Sequence, residues 1–106
     1  MNREEYNKKV LSISAYCSVQ SKLLELYNPS YDNIAMLKEI SPLATKAIRK
    51  KRKKNLKSLE GLSEELEKRI SIFEKEKPEI AFSREARELE ELLKQRKEEY
   101  KRLSNF

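Results

Sequence analysis

The sequence predicts an all-α protein, an antiparallel helical hairpin within a small helical bundle of coiled-coil character, with three long helices and one short one. Three observations predict it. Apolar residues recur at steps of three and four along most of the 106 residues, the period of a helix face. Charged residues make up 40% and apolar residues only 38%, with Glu, Lys, Leu and Arg in excess, the composition of long helices. A single Gly and three Pro leave few places for tight turns, and β-branched residues are too sparse to favour a sheet. The length fits one helical domain over residues 1–106, and so many charges favour an elongated shape.

The first helix spans about residues 3–27. Tyr6, Val10, Ile13, Cys17, Gln20, Leu24 and Tyr27 alternate steps of four and three, which aligns them on one side of a helix. Leu11, Leu23 and Leu26 widen that stripe, as expected of a helix packed against more than one neighbour. Asn28-Pro29-Ser30 ends it, because Pro29 disfavours helical geometry in the residue before it.

A short second helix is expected over residues 32–40, capped by Ser30 or Asp32, with Ile34, Leu37 and Ile40 on one face. Ser41-Pro42 reads as a capping residue followed by Pro at the first helical position. The third helix is therefore expected over residues 42–77. It begins with Leu43, Ala44, Ala47 and Ile48, has no apolar residue from Arg49 to Asn55, and resumes its stripe at Leu56, Leu59, Leu62, Leu66, Ile70 and Phe73. Gly61 lies inside it and costs about 1 kcal/mol relative to Ala. A bend, or the close approach of a partner backbone, is expected there.

Pro78 closes the third helix, and Ser83 caps a fourth over residues 83–104. Phe82, Ala86, Leu89, Leu93, Arg96, Tyr100 and Leu103 keep the four-three alternation. The third and fourth helices are expected to pair antiparallel, with the first two packed across them or swapped into a neighbouring copy.

Charge is distributed unevenly. Residues 1–57 carry 13 basic and 5 acidic side chains, and residues 58–106 carry 11 and 13. Eight of the twelve residues at positions 46–57 are basic: Lys46, Arg49, Lys50, Lys51, Arg52, Lys53, Lys54 and Lys57. The nearest acids are Glu39 and Glu60. A block of this density repels itself, so it either awaits a negative partner or stands as a solvated stretch. Counterion release from phosphates suits it, and no flanking residues provide a base-reading set. Lys51-Arg52-Lys53-Lys54 also fits the short pattern of a nuclear localisation signal. The flanking apolar residues are too few for a basic amphipathic membrane helix.

Catalytic chemistry is not expected. There is no His, which removes the commonest general base and metal ligand. One Cys makes neither a disulfide nor a zinc site, and one Gly builds no phosphate-cradling loop. The carboxylates, such as Glu64, Glu74 and Glu90, lie among Lys and Arg on expected outer faces. No enzyme activity, cofactor, metal or small-molecule substrate is expected.

The expected function is that of a non-enzymatic assembly or adaptor subunit. It docks through apolar helix stripes and contacts a polyanion, nucleic acid in particular, through the basic segment 46–57. One alternative is a pure protein–protein interaction module (a small chaperone, inhibitor or complex subunit) with the basic block incidental. A second is a helix-turn-helix-like DNA-binding regulator, with its turn at Ser41-Pro42. A third helix longer than its partner leaves a stripe for another chain, so a homo-oligomer or protein partner is expected. The residues expected at that interface are Tyr6, Val10, Ile13, Leu24, Leu59, Leu66, Ile70, Phe73, Leu89 and Leu93. No apolar run approaches the length of a membrane span. The single Cys fits a reducing compartment, so an intracellular location is expected, cytoplasmic or, in a eukaryote, nuclear.

Overall fold

A computed structural model describes residues 2–104, so the extreme ends of the predicted 1–106 span lie outside the described residues. The described chain is all-α: α1 Arg3–Tyr27, α2 Tyr31–Lys50, α3 Lys53–Glu76, the single turn α4 Pro78–Ala81, and α5 Arg84–Ser104. Among the described residues there is no strand. Among the described residues no helix is long and apolar enough to cross a membrane. The principal extents are 44 × 27 × 17 Å, in keeping with the elongated shape expected from the charged composition.

The centre of the molecule is α1. It starts at Asn2, whose side chain accepts from the Glu5 backbone N–H while the Glu5 carboxylate accepts from the Asn2 N–H, a reciprocal cap that satisfies two otherwise free donors. Its predicted stripe is buried throughout: Tyr6, Val10, Ile13, Cys17, Gln20, Leu24 and Tyr27. It packs against α2, α3 and α5, which accounts for apolar residues on more than one face. Leu23 joins the core, and Leu26 is partly buried against it. Leu11 instead points outward, 59% exposed.

Hydrogen bonds between distant residues give the relative directions. The Tyr6 hydroxyl donates to the Arg52 carbonyl at 3.0 Å. The Gln20 amide donates to the Ser63 carbonyl at 3.1 Å and accepts from the Ser63 hydroxyl at 2.9 Å. Lys77 donates to the Tyr27 carbonyl at 2.8 Å. Thus α1 and α3 run parallel. Because Gln20 is wholly buried, this two-way bond with Ser63 fixes their register at no cost of stranded polar groups. Asn33 accepts from Arg69 at 3.0 Å, which sets α2 antiparallel to α3. Tyr100 donates to Glu60, and Lys97 pairs with Glu67 at 3.6 Å, which sets α5 antiparallel to α3.

Four expectations need correction. First, α2 does not stop at Ile40; it continues through Pro42 to Lys50. Pro42 removes a helical N–H, but Lys38, Ser41 and Pro42 are all exposed, so water can satisfy the carbonyl left free. Burial of Met36, Ile40 and Ala47 with partial burial of Leu43, Ala44 and Ile48 holds both halves on one surface. Ser41 is therefore no cap, and the true cap is Ser30, which accepts from the Asn33 N–H at 3.3 Å. Second, the basic block is not helical throughout. It breaks at Lys51-Arg52, between α2 and α3. Among the described residues there are four long helices and one short turn.

Third, α3 is 24 residues long beside an α5 of 21, so the expected mismatch in length is absent. The two run antiparallel as predicted, but α1 is wedged between them and they meet chiefly through long side chains. Fourth, α3 continues through Gly61 without a break, and a Cβ there would meet nothing within 4 Å. No backbone from elsewhere in the chain approaches Gly61 closely.

Candidate functional site: a basic turn between two helices

The eight predicted basic residues are brought together around one turn. Lys46, Arg49 and Lys50 belong to the end of α2, Lys51 and Arg52 form the connection, and Lys53, Lys54 and Lys57 begin α3. All are exposed except Lys51, which is half-buried. Among the described residues none of the eight is ion-paired.

The turn forms here because nothing from Arg49 to Lys54 has an apolar surface to bury, whereas Ala47, Ile48 and Leu56 on either side are held by the core. Lys51 adopts the left-handed conformation, φ 49° and ψ 37°, and its N–H bonds the Ala47 carbonyl at 2.9 Å. That is the usual helix-ending geometry, normally given to Gly. Arg52 is extended and supplies no side-chain cap to α3. The bond from Tyr6 to the Arg52 carbonyl ties this connection to the start of α1. Burial pushes the Tyr6 phenol up from its ordinary value of 10.0, so it stays a donor at neutral pH.

The electrostatics differ on the two sides of the turn. Cations at the α2 C-terminus suit the negative end of its dipole. Cations at the α3 N-terminus oppose the positive end, and the first turn of α3 contains no acid. The other long helices are built the opposite way. Asn2 caps α1, Ser30 caps α2, and Ser83 accepts from the Ala86 N–H at 3.2 Å at the start of α5. Each also has an acid in its first turn.

The residues expected at a partner interface are placed differently. Tyr6, Val10, Ile13, Leu24, Leu59, Leu66 and Ile70 are buried in the chain's own core, and Phe73, Leu89 and Leu93 are partly buried against it. The first seven are thus covered within the chain, and the last three only in part. Among the described residues the large apolar side chains left exposed are Leu11, Ile72 and Phe82, none of them in the predicted set. The expected helix-turn-helix position at Ser41-Pro42 contains no turn.

A cleft of about 370 Å³ lies between α3 and α5, with Tyr16 and Gln20 of α1 among its lining and Glu74 and Glu90 on its sides. Burial raises the Glu74 carboxyl above 4.5, and the neighbouring Glu90 raises it further. Among the described residues no group of three or more His, Cys, Asp or Glu could hold a metal ion. Burial pushes the Cys17 thiol up to about 12, which keeps it protonated and a poor nucleophile at neutral pH.

Two features of the turn could not be read from the sequence. Tyr6 is expected as an apolar stripe residue at a partner interface, and its hydroxyl instead reaches a carbonyl 46 positions away within the chain. The continuation of α2 places Ser41 and Thr45 beside Lys46, Arg49 and Lys50. Comparison with protein families, with curated proteins and with solved structures finds no match to this chain.

Proposed function

We propose that this chain is a non-enzymatic helical assembly or adaptor subunit that contacts nucleic acid through the basic turn of residues 46–57. One observation carries the reading. At this turn the chain has cations where stability favours other residues: Lys51 at a left-handed position and Arg52 at an uncapped helix start, with no acid in the first turn of α3. A non-Gly residue in the left-handed region costs about 1 kcal/mol, and a missing N-cap costs about as much. Elsewhere the same chain caps its long helices conventionally. Sites that break local rules in this way are typically functional. An anionic partner would supply the missing negative charge to the α3 N-terminus and neutralise the unpaired cations.

Contact through Lys and Arg to phosphates positions a protein without reading sequence. The expected activity is therefore broad nucleic-acid binding with steep salt dependence. The experiment is binding of a fluorescent generic duplex at low salt, with the native chain beside a variant in which Arg49–Lys54 are changed to Gln. Unchanged helicity with lost binding supports the reading. Equal binding by both chains refutes it.

A further inference from the structure

Beyond locating the contact at the turn, the molecule's surface charge gives the contact a direction. The exposed side of α2 leading to the turn carries Ser41, Thr45, Lys46, Arg49 and Lys50, which line one shallow groove with Pro42. Over these positions the helix extends about 13 Å at 1.5 Å per residue. Hydroxyls and cations are both donors to phosphate oxygens, and no acid occurs from residue 40 to residue 59. Glu39 marks the far end of the stretch.

The corresponding surface of α3 is opposite in character. Past Lys57 it presents Glu60, half-buried and accepting from Tyr100, then the exposed Glu64, Glu65 and Glu67, of which Glu65 pairs with Arg69 and Glu67 with Lys97. A polyanion leaving the turn along α3 would meet four carboxylates within three helical turns. One leaving along α2 would meet hydroxyls and further cations.

We infer that the outer face of α2 from Ser41 to Lys50 is a phosphate track that carries a duplex backbone away from the basic turn, while α3 beyond Lys57 repels it. The inference rests on the nucleic-acid reading above and adds the path of the ligand. A duplex is the occupant because the track offers no stacking surface. The strongly exposed aromatic Phe82 lies beyond the opposite end of α3, and single-strand binders rely on aromatic platforms beside their basic groove.

Two exposed hydroxyl residues flank the basic block symmetrically in sequence: Thr45, next to Lys46, and Ser58, next to Lys57. They make a matched pair of probes. The duplex would be titrated with the native chain, Thr45→Glu, Ser41→Glu, Ser58→Glu and the six-Gln turn variant, each checked for native helicity. A single strand of the same sequence would be run alongside. The expected result is a several-fold loss of duplex affinity for Thr45→Glu and Ser41→Glu, near-native affinity for Ser58→Glu, and weaker binding of the single strand. Combining Ser41→Glu with Thr45→Glu should weaken duplex binding more than either change alone. Equal losses for Thr45→Glu and Ser58→Glu, with the six-Gln variant inactive, overturn the track and leave the turn as the contact. Tighter binding of the single strand overturns the duplex as occupant. Native affinity in the six-Gln variant overturns both readings.

Discussion

The Tyr6 hydroxyl donates to the Arg52 carbonyl across 46 positions of sequence, at 3.0 Å. This bond holds the basic turn against the start of the central helix. Tyr6→Phe keeps the buried ring and removes only the donor, so it should cost about 1 kcal/mol of stability. Amide exchange should accelerate most at residues 51–55. Urea denaturation and hydrogen exchange measure the two effects. A stability loss spread evenly over all amides would show that the turn does not depend on this bond.

Lys51 should respond in opposite directions in two measurements. Its φ of 49° suits Gly, and Lys51→Gly should stabilise the fold by about 1 kcal/mol. The same change removes one cation from the turn, so duplex affinity should fall and the salt slope should shrink by about 0.9. Thermal denaturation and a binding titration on one preparation test both.

Gly61 sits inside α3 with open space where a Cβ would go. Gly61→Ala should therefore gain about 1 kcal/mol from helix propensity alone, with no effect on duplex binding. A loss of stability would mean that the position meets something other than solvent.

Tyr27 is 1% exposed, and its hydroxyl has no hydrogen-bond partner. Tyr27→Phe should stabilise the fold by about 1 kcal/mol, since a buried unsatisfied polar group is removed. Burial, reinforced by Glu74 and Glu90, pushes this phenol up to about 12 from 10.0. A folded-state pKa above the unfolded one gives stability that is complete below pH 10 and is lost as pH rises towards 12. Native stability should thus fall over that window, and Tyr27→Phe should show a shallower decline. Tyr16 and Cys17, both also pushed up to about 12, supply part of the slope that remains, the thiol's share beginning near its ordinary value of 9.0.

Much of the helical content was legible because the apolar period is a local property. The bounds of α1 match the predicted 3–27, and α5 begins one residue after the predicted start at 83. Ser30 and Ser83 cap as their chemistry suggests. The misreadings came from signals that tertiary packing overrides. Pro42 looked like a helix start, yet an exposed Pro is tolerated where the opposite face is buried on both sides of it. The basic block looked helical between two helical stripes, yet without an apolar side chain it had nothing to hold it straight. Interface residues such as Val10 and Leu59 could not be told from core residues, because periodicity shows that a face is buried and not which chain buries it. The basic cluster was legible as composition; its arrangement around a left-handed lysine and an uncapped helix start was not.

The most direct test of the central claim is the salt dependence of duplex binding by the native chain beside the variant with Arg49–Lys54 changed to Gln. If the turn neutralises phosphates, log affinity should fall linearly with log salt. Six contacts give a slope of about −5, and the variant should lose both the affinity and the slope. A native chain that fails to bind at low salt, or binds with a slope the variant shares, would contradict the account.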